Sequence, residues 1–354
     1  MLIFIASGLL SCSGSAKKNN DAHQPIFVEQ NLKDKIEIVC FVYHRFGDDR
    51  YPSTSVKLNE FKAHLRWLKD QDYQVVSFGE ALDIVRQGKV ITNKLACITV
   101  DDGYKTFMSG AMPLLRSFNC KATLFVNTET VGGGDYLSWE ELKKLQKEGI
   151  EIGNHSHKHP YFLNAENRII QFKEDVSLAE KLFKENMDFK PDVFAYPYGE
   201  FDQSMADYLK ENGYKGAGAQ NSGVMHELSD LYAVPRFPMA SQYAKLEQFV
   251  EKAKMKPLRV QYSKPRTYAI GEDNPPILSL HIADSMVDVD NMQVFVQFGS
   301  GSIEKQADSE SEITVKANTP LQNRRTLYTL TAPSIDRKSW YWFSHLWVRP
   351  EIPE

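Results

Sequence analysis

The chain has 354 residues, of which 42% are hydrophobic and 25% charged, enough to build one barrel-sized domain and a smaller one. Its formal net charge is −4 and it holds no long basic run, which leaves nucleic-acid binding without support.

Met1 to Leu10 is apolar and ends in Leu9-Leu10-Ser11-Cys12. This resembles the hydrophobic segment and lipobox of a bacterial lipoprotein, with residues 1–11 as signal and Cys12 as the lipidated terminus. It implies a membrane-anchored protein of the bacterial cell envelope, facing the periplasm or the cell surface. A secretory signal that happens to contain a cysteine is the other reading. The run is too short to span a bilayer. Residues 12–32 are mostly polar and read as a flexible tether. Cys40, Cys97 and Cys120 lie in or beside apolar runs and read as small buried hydrophobes.

From residue 33 to about 262 short apolar runs alternate with amphipathic segments. Strands are predicted over 36–43, 73–77, 95–100, 122–126, 150–153, 193–196, 215–219 and 232–234. Helices are predicted over 58–69, 79–86, 111–118, 138–147, 168–185 and 203–210, with Ser138 and Glu141 forming a capping box. This alternation implies an α/β fold with a parallel sheet, and the number of units implies a barrel with its active residues at the C-terminal strand ends. After about Pro257 the helical period fades. Runs at 277–282, 292–298, 312–315, 325–330 and 340–348 read as strands of a small all-β sandwich over 263–354. The aromatic run Trp340-Tyr341-Trp342-Phe343, with Trp347, reads as sandwich core, a sugar-binding face being the alternative.

Three stretches carry chemistry. Asp101-Asp102-Gly103 follows the predicted strand over 95–100. Adjacent carboxylates repel, and a cation beside one of them removes the conflict, leaving a metal ligand and a base. In Gly153-Asn154-His155-Ser156-His157-Lys158-His159-Pro160, His155 and His159 are spaced so that one helical turn would bring them together. Two imidazoles and one carboxylate make a metal site with open positions, and His157 is the less suitable ligand. In Phe194-Ala195-Tyr196-Pro197-Tyr198-Gly199, the proline and glycine fix a turn that can aim the Tyr198 N–H at a developing oxyanion.

In this order, Thr-x-Asp-Asp-Gly, Gly-Asn-His-Ser-x-x-His-Pro and Phe-x-x-Pro-Tyr-Gly, the motifs resemble those of the polysaccharide deacetylase family, the NodB-homology domain of carbohydrate esterase family 4. The resemblance spans about residues 33–240. It implies a distorted (β/α)7 barrel, with Asp101 as general base and Asp102, His155 and His159 as ligands of a divalent metal. Zinc suits that donor set best, and Fe, Co or Ni would also fit. The Phe41-Val42-Tyr43-His44-Arg45 stretch and the form of the third motif look like the branch that contains the poly-β-1,6-N-acetylglucosamine deacetylases.

Two family residues are not where they should be. Ala195 stands where most members have the arginine that orients the base, and Arg236 is the candidate replacement, a surface arginine being the alternative. The later Leu-x-His motif is mimicked by Leu280-His281, but these lie in the first predicted strand of the sandwich. His44, at the end of the first predicted strand, is then the candidate for the missing catalytic histidine. Pro197, Tyr198 and Arg236 are the expected substrate-side residues.

The reading is a monomeric N-deacetylase acting on an N-acetylglucosamine polymer. An O-acetyl esterase on xylan would use the same site. A lipid-anchored glycan-binding protein with an inactive barrel is the reading from another class.

Overall fold

The structure, a computed structural model, describes residues 36–88, 93–306 and 309–353. The expected signal, the tether and Cys12 lie outside them.

Chain order follows the predicted alternation, as β1 (Glu37–Tyr43), a small β2 (Arg45–Phe46) and β3 (Ser55–Val56) pair, α1 (Leu58–Asp70), β4 (Tyr73–Val76), α2 (Phe78–Gln87) and β5 (Lys94–Val100). Then come α3 (Met112–Phe118), entered through a π-turn over Phe107–Ala111, β6 (Thr123–Val126), α4 (Trp139–Lys147), β7 (Glu151–Asn154), α5 (Arg168–Met187), β8 (Val193–Ala195) and α6 (Gln203–Glu211). The first domain ends with β9 (Gly216–Gly218), β10 (Val224–His226), β11 (Phe237–Pro238) and α7 (Leu246–Ala253). Ser138 caps α4 as predicted, its Oγ accepting from the Glu141 N–H while Glu141 accepts from the Ser138 N–H. Ser77 and Glu80 make the same reciprocal cap on α2.

The sheet runs β10-β1-β5-β6-β7-β8-β9, with β4 on β5 and β11 on β1. All neighbours are parallel except β10 against β1. The strand β5 is buried from Leu95 onward because helices and barrel interior cover its two faces, hence its near-continuous apolar run. It pairs with β4 along residues 94–97 and with β6 only at Thr99 and Val100, so the barrel is distorted at this strand.

The predicted strand over 232–234 reduces to one bridge, Val234 to Gly218. Three residues on, Phe237 and Pro238 pair with Phe41 and Val42. Residues 234–238 thus join the last parallel strand back to the first, and the sheet curls into a distorted barrel. Its interior is filled by Ile38, Cys40, Cys97, Phe125, Val193 and Met225. A larger cluster, including Phe41, Phe61, Leu65, Leu115, Leu145 and Phe249, lies between sheet and helices. Cys40 and Cys97 are buried free thiols, as expected, and Cys120 is half-buried.

Two four-stranded sheets follow. One is β12 (Lys256–Pro257), β19 (Trp340–Val348), β18 (Arg325–Pro333) and β15 (Gln293–Val296). The other is β13 (Val260–Lys264), β14 (Ile277–Ile282), β17 (Ser309–Ala317) and β16 (Gly301–Gln306). They enclose Leu278, Leu280, Ile313, Val315, Tyr328 and Trp347. Sandwich pairing starts at Lys256, so the expected boundary at 262 falls inside β13; β12 and β13 are too polar to show as strands in the sequence. The aromatic run divides by face. Tyr341 and Trp347 enter the core, Trp340 is exposed, and Trp342 docks on the barrel with its Nε1–H donating to Ser222 Oγ at 2.9 Å. The described residues fall in one compact unit. No helix among the described residues is long and apolar enough to cross a membrane.

One buried polar group sets a pH dependence. His64 Nε2 lies 2.9 Å from Ala244 O, which can only accept, so Nδ1 accepts from the Tyr43 hydroxyl at 3.1 Å and the ring is neutral. Burial pushes its pKa down to about 4, against the accepting Ala244 carbonyl. The folded state therefore binds fewer protons than the unfolded state between the ordinary value near 6.5 and about 4, and stability is lost as pH falls through that window. Urea unfolding of His64→Gln between pH 6 and 4.5 should show a slope of stability on pH shallower by about 1.4 kcal/mol per pH unit than wild type. Equal slopes would mean that His64 is not held neutral.

Candidate active site

The site residues leave the C-terminal ends of the parallel strands, where loops can meet over the barrel mouth. Asp101 and Asp102 follow β5, His155 to His159 follow β7, Tyr196 to Gly199 follow β8, and His44 follows β1. Arg236 immediately precedes β11.

Asp101 and Arg236 are both 0% exposed and form a two-pronged pair, Nη1 to Oδ1 at 2.8 Å and Nη2 to Oδ2 at 2.9 Å. Arg236 Nε donates to Ala219 O at 2.9 Å, and Nη1 also reaches Thr99 Oγ1 at 3.2 Å. A β-carbon on Gly218 would lie 2.8 Å from Arg236 Nε, so the guanidinium passes where only glycine leaves room. Burial alone would raise the Asp101 pKa, but the charges of Arg236, His155 and His44 hold it below the usual carboxylate value. Arg236, rather than residue 195, is thus the arginine that meets Asp101.

Asp102 is turned the other way by a left-handed backbone, φ 77. Its Oδ1 is 3.5 Å from His155 Nε2 and 3.6 Å from His159 Nε2, and the two Nε2 atoms are 3.1 Å apart. His155 Nδ1–H donates to Ala195 O at 2.7 Å, which leaves its Nε2 lone pair facing the other two. His159 is held by its N–H donating to Ser156 Oγ at 3.0 Å. Ligands about 2.05 Å from a zinc ion in tetrahedral geometry are separated by roughly 3.3 Å. The three edges bracket that value, and two imidazole lone pairs otherwise repel at such a distance, so these residues fit a divalent cation. Burial opposes charge on all three. Asp102 is nevertheless held well below the ordinary carboxylate pKa by His155 and His44, His155 is raised by Asp102 and Asp101, and His159 is pushed down to about 4 with His155 adding to the effect of burial.

The histidine loop is not a helical turn, as its spacing had implied. Ser156 and His159 adopt φ 70 and φ 54, and the Asp175 carboxylate accepts from the N–H groups of His157 and Lys158 at 2.6 and 3.0 Å. His157 Nδ1 faces Thr128 Oγ1 at 2.9 Å, away from the trio. His44 lies near enough for its charge to act on Asp101, Asp102 and His159. His281 lies in β14, in the sandwich, stacked on Tyr262. The Pro197-Tyr198-Gly199 turn is a short 3-10 segment with Tyr198 at φ 58, its ring 4.5 Å from that of His159 and 3.8 Å from that of Tyr161.

Sequence reasoning missed the rim. Arg45 lies 3.5 Å from the Tyr104 ring centre and pairs with Asp48 at 2.9 Å. It also missed Tyr136 on Tyr104 at 4.8 Å, and the Arg324–Glu200 pair behind Tyr198. Arg45, Tyr104 and Glu200 stood in or beside stretches that had drawn attention, whereas Tyr136 and Arg324 did not.

Truncating Arg236 leaves a buried carboxylate without its cation. Arg236→Met should cost about 3–5 kcal/mol, read in urea unfolding at neutral pH. Arg236→Lys should recover part of the stability, since it keeps the charge and loses the fork. A loss under 1 kcal/mol for Arg236→Met would refute a buried charged pair.

Residues 89–217 match the polysaccharide deacetylase family. Over 209 residues the chain is 27% identical to poly-β-1,6-N-acetyl-D-glucosamine N-deacetylase of Staphylococcus aureus, covering 55% of this chain and 71% of that protein. Among solved structures, IcaB from Ammonifex degensii is similar with a TM-score of 0.56 and 25% identity, over 61% of this chain and 97% of that one. The Streptococcus pyogenes deacetylase PplD, at TM-score 0.57 and 19% identity over 62% and 98% of the two chains, shares the fold. Barrel, strand-end residues and sequence match agree that residues 89–217 carry a polysaccharide deacetylase domain.

Proposed function

We propose that the protein is a metal-dependent hydrolase that removes N-acetyl groups from an N-acetylglucosamine-containing polysaccharide. One observation carries the reading. Asp102 Oδ1, His155 Nε2 and His159 Nε2 face one another as a ligand triangle, while the adjacent Asp101 is held ionised by Arg236. The name of the Staphylococcus aureus relative supports the N-acetylglucosamine polymer as substrate.

Asp102, His155 and His159 would hold the cation, which when bound polarises the acetyl carbonyl and acidifies the attacking water. Zinc suits this donor set, and Fe, Co or Ni share the preference. Asp101 is ionised at neutral pH and takes the proton from water as its oxygen bonds to the acetyl carbon. A carboxylate with a lowered pKa is a weak base, so it serves here only because the water is acidified. The Tyr198 N–H donates to the carbonyl oxygen as negative charge develops on it. The C–N bond then breaks, and the leaving nitrogen takes a proton from His44, beside the carboxylates. The products are acetate and a free-amine sugar. Arg236 keeps the Asp101 carboxylate aimed while protons come and go.

Acetate release from N-acetylglucosamine oligomers and from acetylated xylan, by wild type and Asp101→Asn, tests this. The expected outcome is release from the oligomers that is lost on chelation, restored by zinc, and lowered about 10²–10⁴-fold in Asp101→Asn with metal content unchanged. Release from xylan alone would make the protein an O-acetyl esterase. Full activity of Asp101→Asn would remove the base, and glycan binding without acetate release from any polymer would favour the binding-protein reading.

A further inference from the structure

The turn that carries Tyr198 is not held by the barrel alone. Tyr198 sits at φ 58, a conformation that costs a residue with a β-carbon and persists only where its surroundings enforce it. The barrel supplies two hydrogen bonds, Gly199 N–H to Tyr196 O at 2.9 Å and Glu200 N–H to Pro197 O at 3.1 Å. The sandwich adds further contacts, at the start of β18. Arg325 Nη1 donates to Tyr198 O at 3.2 Å, with its guanidinium carbon 5.5 Å from the Tyr198 ring centre. Arg324, buried, donates Nε and Nη2 to the two Glu200 oxygens at 2.8 and 2.6 Å. Its Nη2 also reaches Asn164 Oδ1 at 2.8 Å, and its guanidinium lies 4.2 Å from the Tyr161 ring, which is stacked on Tyr198. Nη1 of Arg324 is anchored on the carbonyls of Pro350 and Ile352, at 2.9 and 3.0 Å.

We propose that Arg325, backed by Arg324, is a positioning residue for deacetylation and that the C-terminal sandwich is thereby part of the active site. This rests on the reading of the Tyr198 N–H as oxyanion donor. Peptide planes are rigid, so only the two dihedrals of Tyr198 link the plane bearing its N–H to the plane bearing its carbonyl. Glu200 fixes the Pro197 carbonyl and turns the Tyr198 N–H away from the turn. Arg325 fixes the Tyr198 carbonyl with a charged donor, which is stronger than a neutral one. With both planes held, the N–H keeps its direction before substrate arrives, as preorganised stabilisation requires. Arg324, in the bend before β18, and Arg325, the first residue of the strand, take different partners, Arg324 taking Glu200 and Arg325 the turn itself.

The test uses the full chain with Arg325→Gln and Arg325→Lys, beside Asp101→Asn. The readouts are kcat and KM on an N-acetylglucosamine oligomer, metal content, and amide hydrogen exchange over residues 196–201. Arg325→Gln is expected to lower kcat about tenfold, a fraction of the loss on deleting an oxyanion donor outright. KM and metal content should stay within about twofold, the turn should exchange faster, and Arg325→Lys, which keeps a charged donor, should recover most of both losses. Arg325→Lys also answers the question if Arg325→Gln folds poorly, because native exchange over 196–201 then accompanies near-native kcat. Unchanged kcat and exchange in Arg325→Gln would overturn the proposal, as would a rise in KM at constant kcat, which would make Arg325 a substrate contact. If Asp101→Asn is fully active, the functional reading fails instead, while exchange still reports whether Arg325 holds the turn.

Discussion

Everything at this site depends on giving two neighbouring carboxylates separate partners. Asp101 is buried and its neighbour Asp102 half-buried, and left together one would take up a proton. Arg236 closes on both oxygens of Asp101. Asp102, rotated by its left-handed backbone, faces the imidazoles of His155 and His159. Two side chains of one residue type are thereby made unequal, one paired to a guanidinium and the other facing two imidazoles. The pairing is costly to bury and of little use as a source of stability, since a buried ion pair barely offsets its desolvation. Its value is in direction and charge state.

Holding Arg236 there accounts for much of the local architecture. The segment 234–238 joins β9 to β1 and so carries the guanidinium to the barrel mouth. Gly218 leaves space for it, and Ala219 O and Thr99 Oγ1 accept from it. Four of the non-glycine residues with positive φ, Asp102, Ser156, His159 and Tyr198, lie at this mouth. Such conformations cost of order 1–3 kcal/mol each and concentrate where geometry serves chemistry.

The alternation of strands and helices was legible because parallel strands buried on both faces leave apolar runs, and capping boxes mark helix starts. The Asp-Asp pair and the histidines were legible as residue types at strand ends, though His155 and His159 meet through left-handed loop residues rather than a helical turn. Arg236 could be nominated but not decided, because its contact with Asp101 joins residues 135 apart and turns on how the barrel closes. The strand pairing at 256–257 and 260–264 was hidden by polar composition, so the sandwich begins earlier than its apolar runs imply. Arg325 looked like the plain start of a strand, and nothing local marks an arginine whose partner is a carbonyl in another domain.

The central claim is that Asp102, His155 and His159 share one cation while Asp101 stays with Arg236. Crystals of protein loaded with zinc, measured at the zinc absorption edge, test it directly. The expected result is one anomalous peak about 2.0–2.2 Å from Asp102 Oδ1, His155 Nε2 and His159 Nε2, with Asp101 still paired to Arg236. A peak that takes Asp101 as a ligand, or no peak among these three atoms, would contradict it.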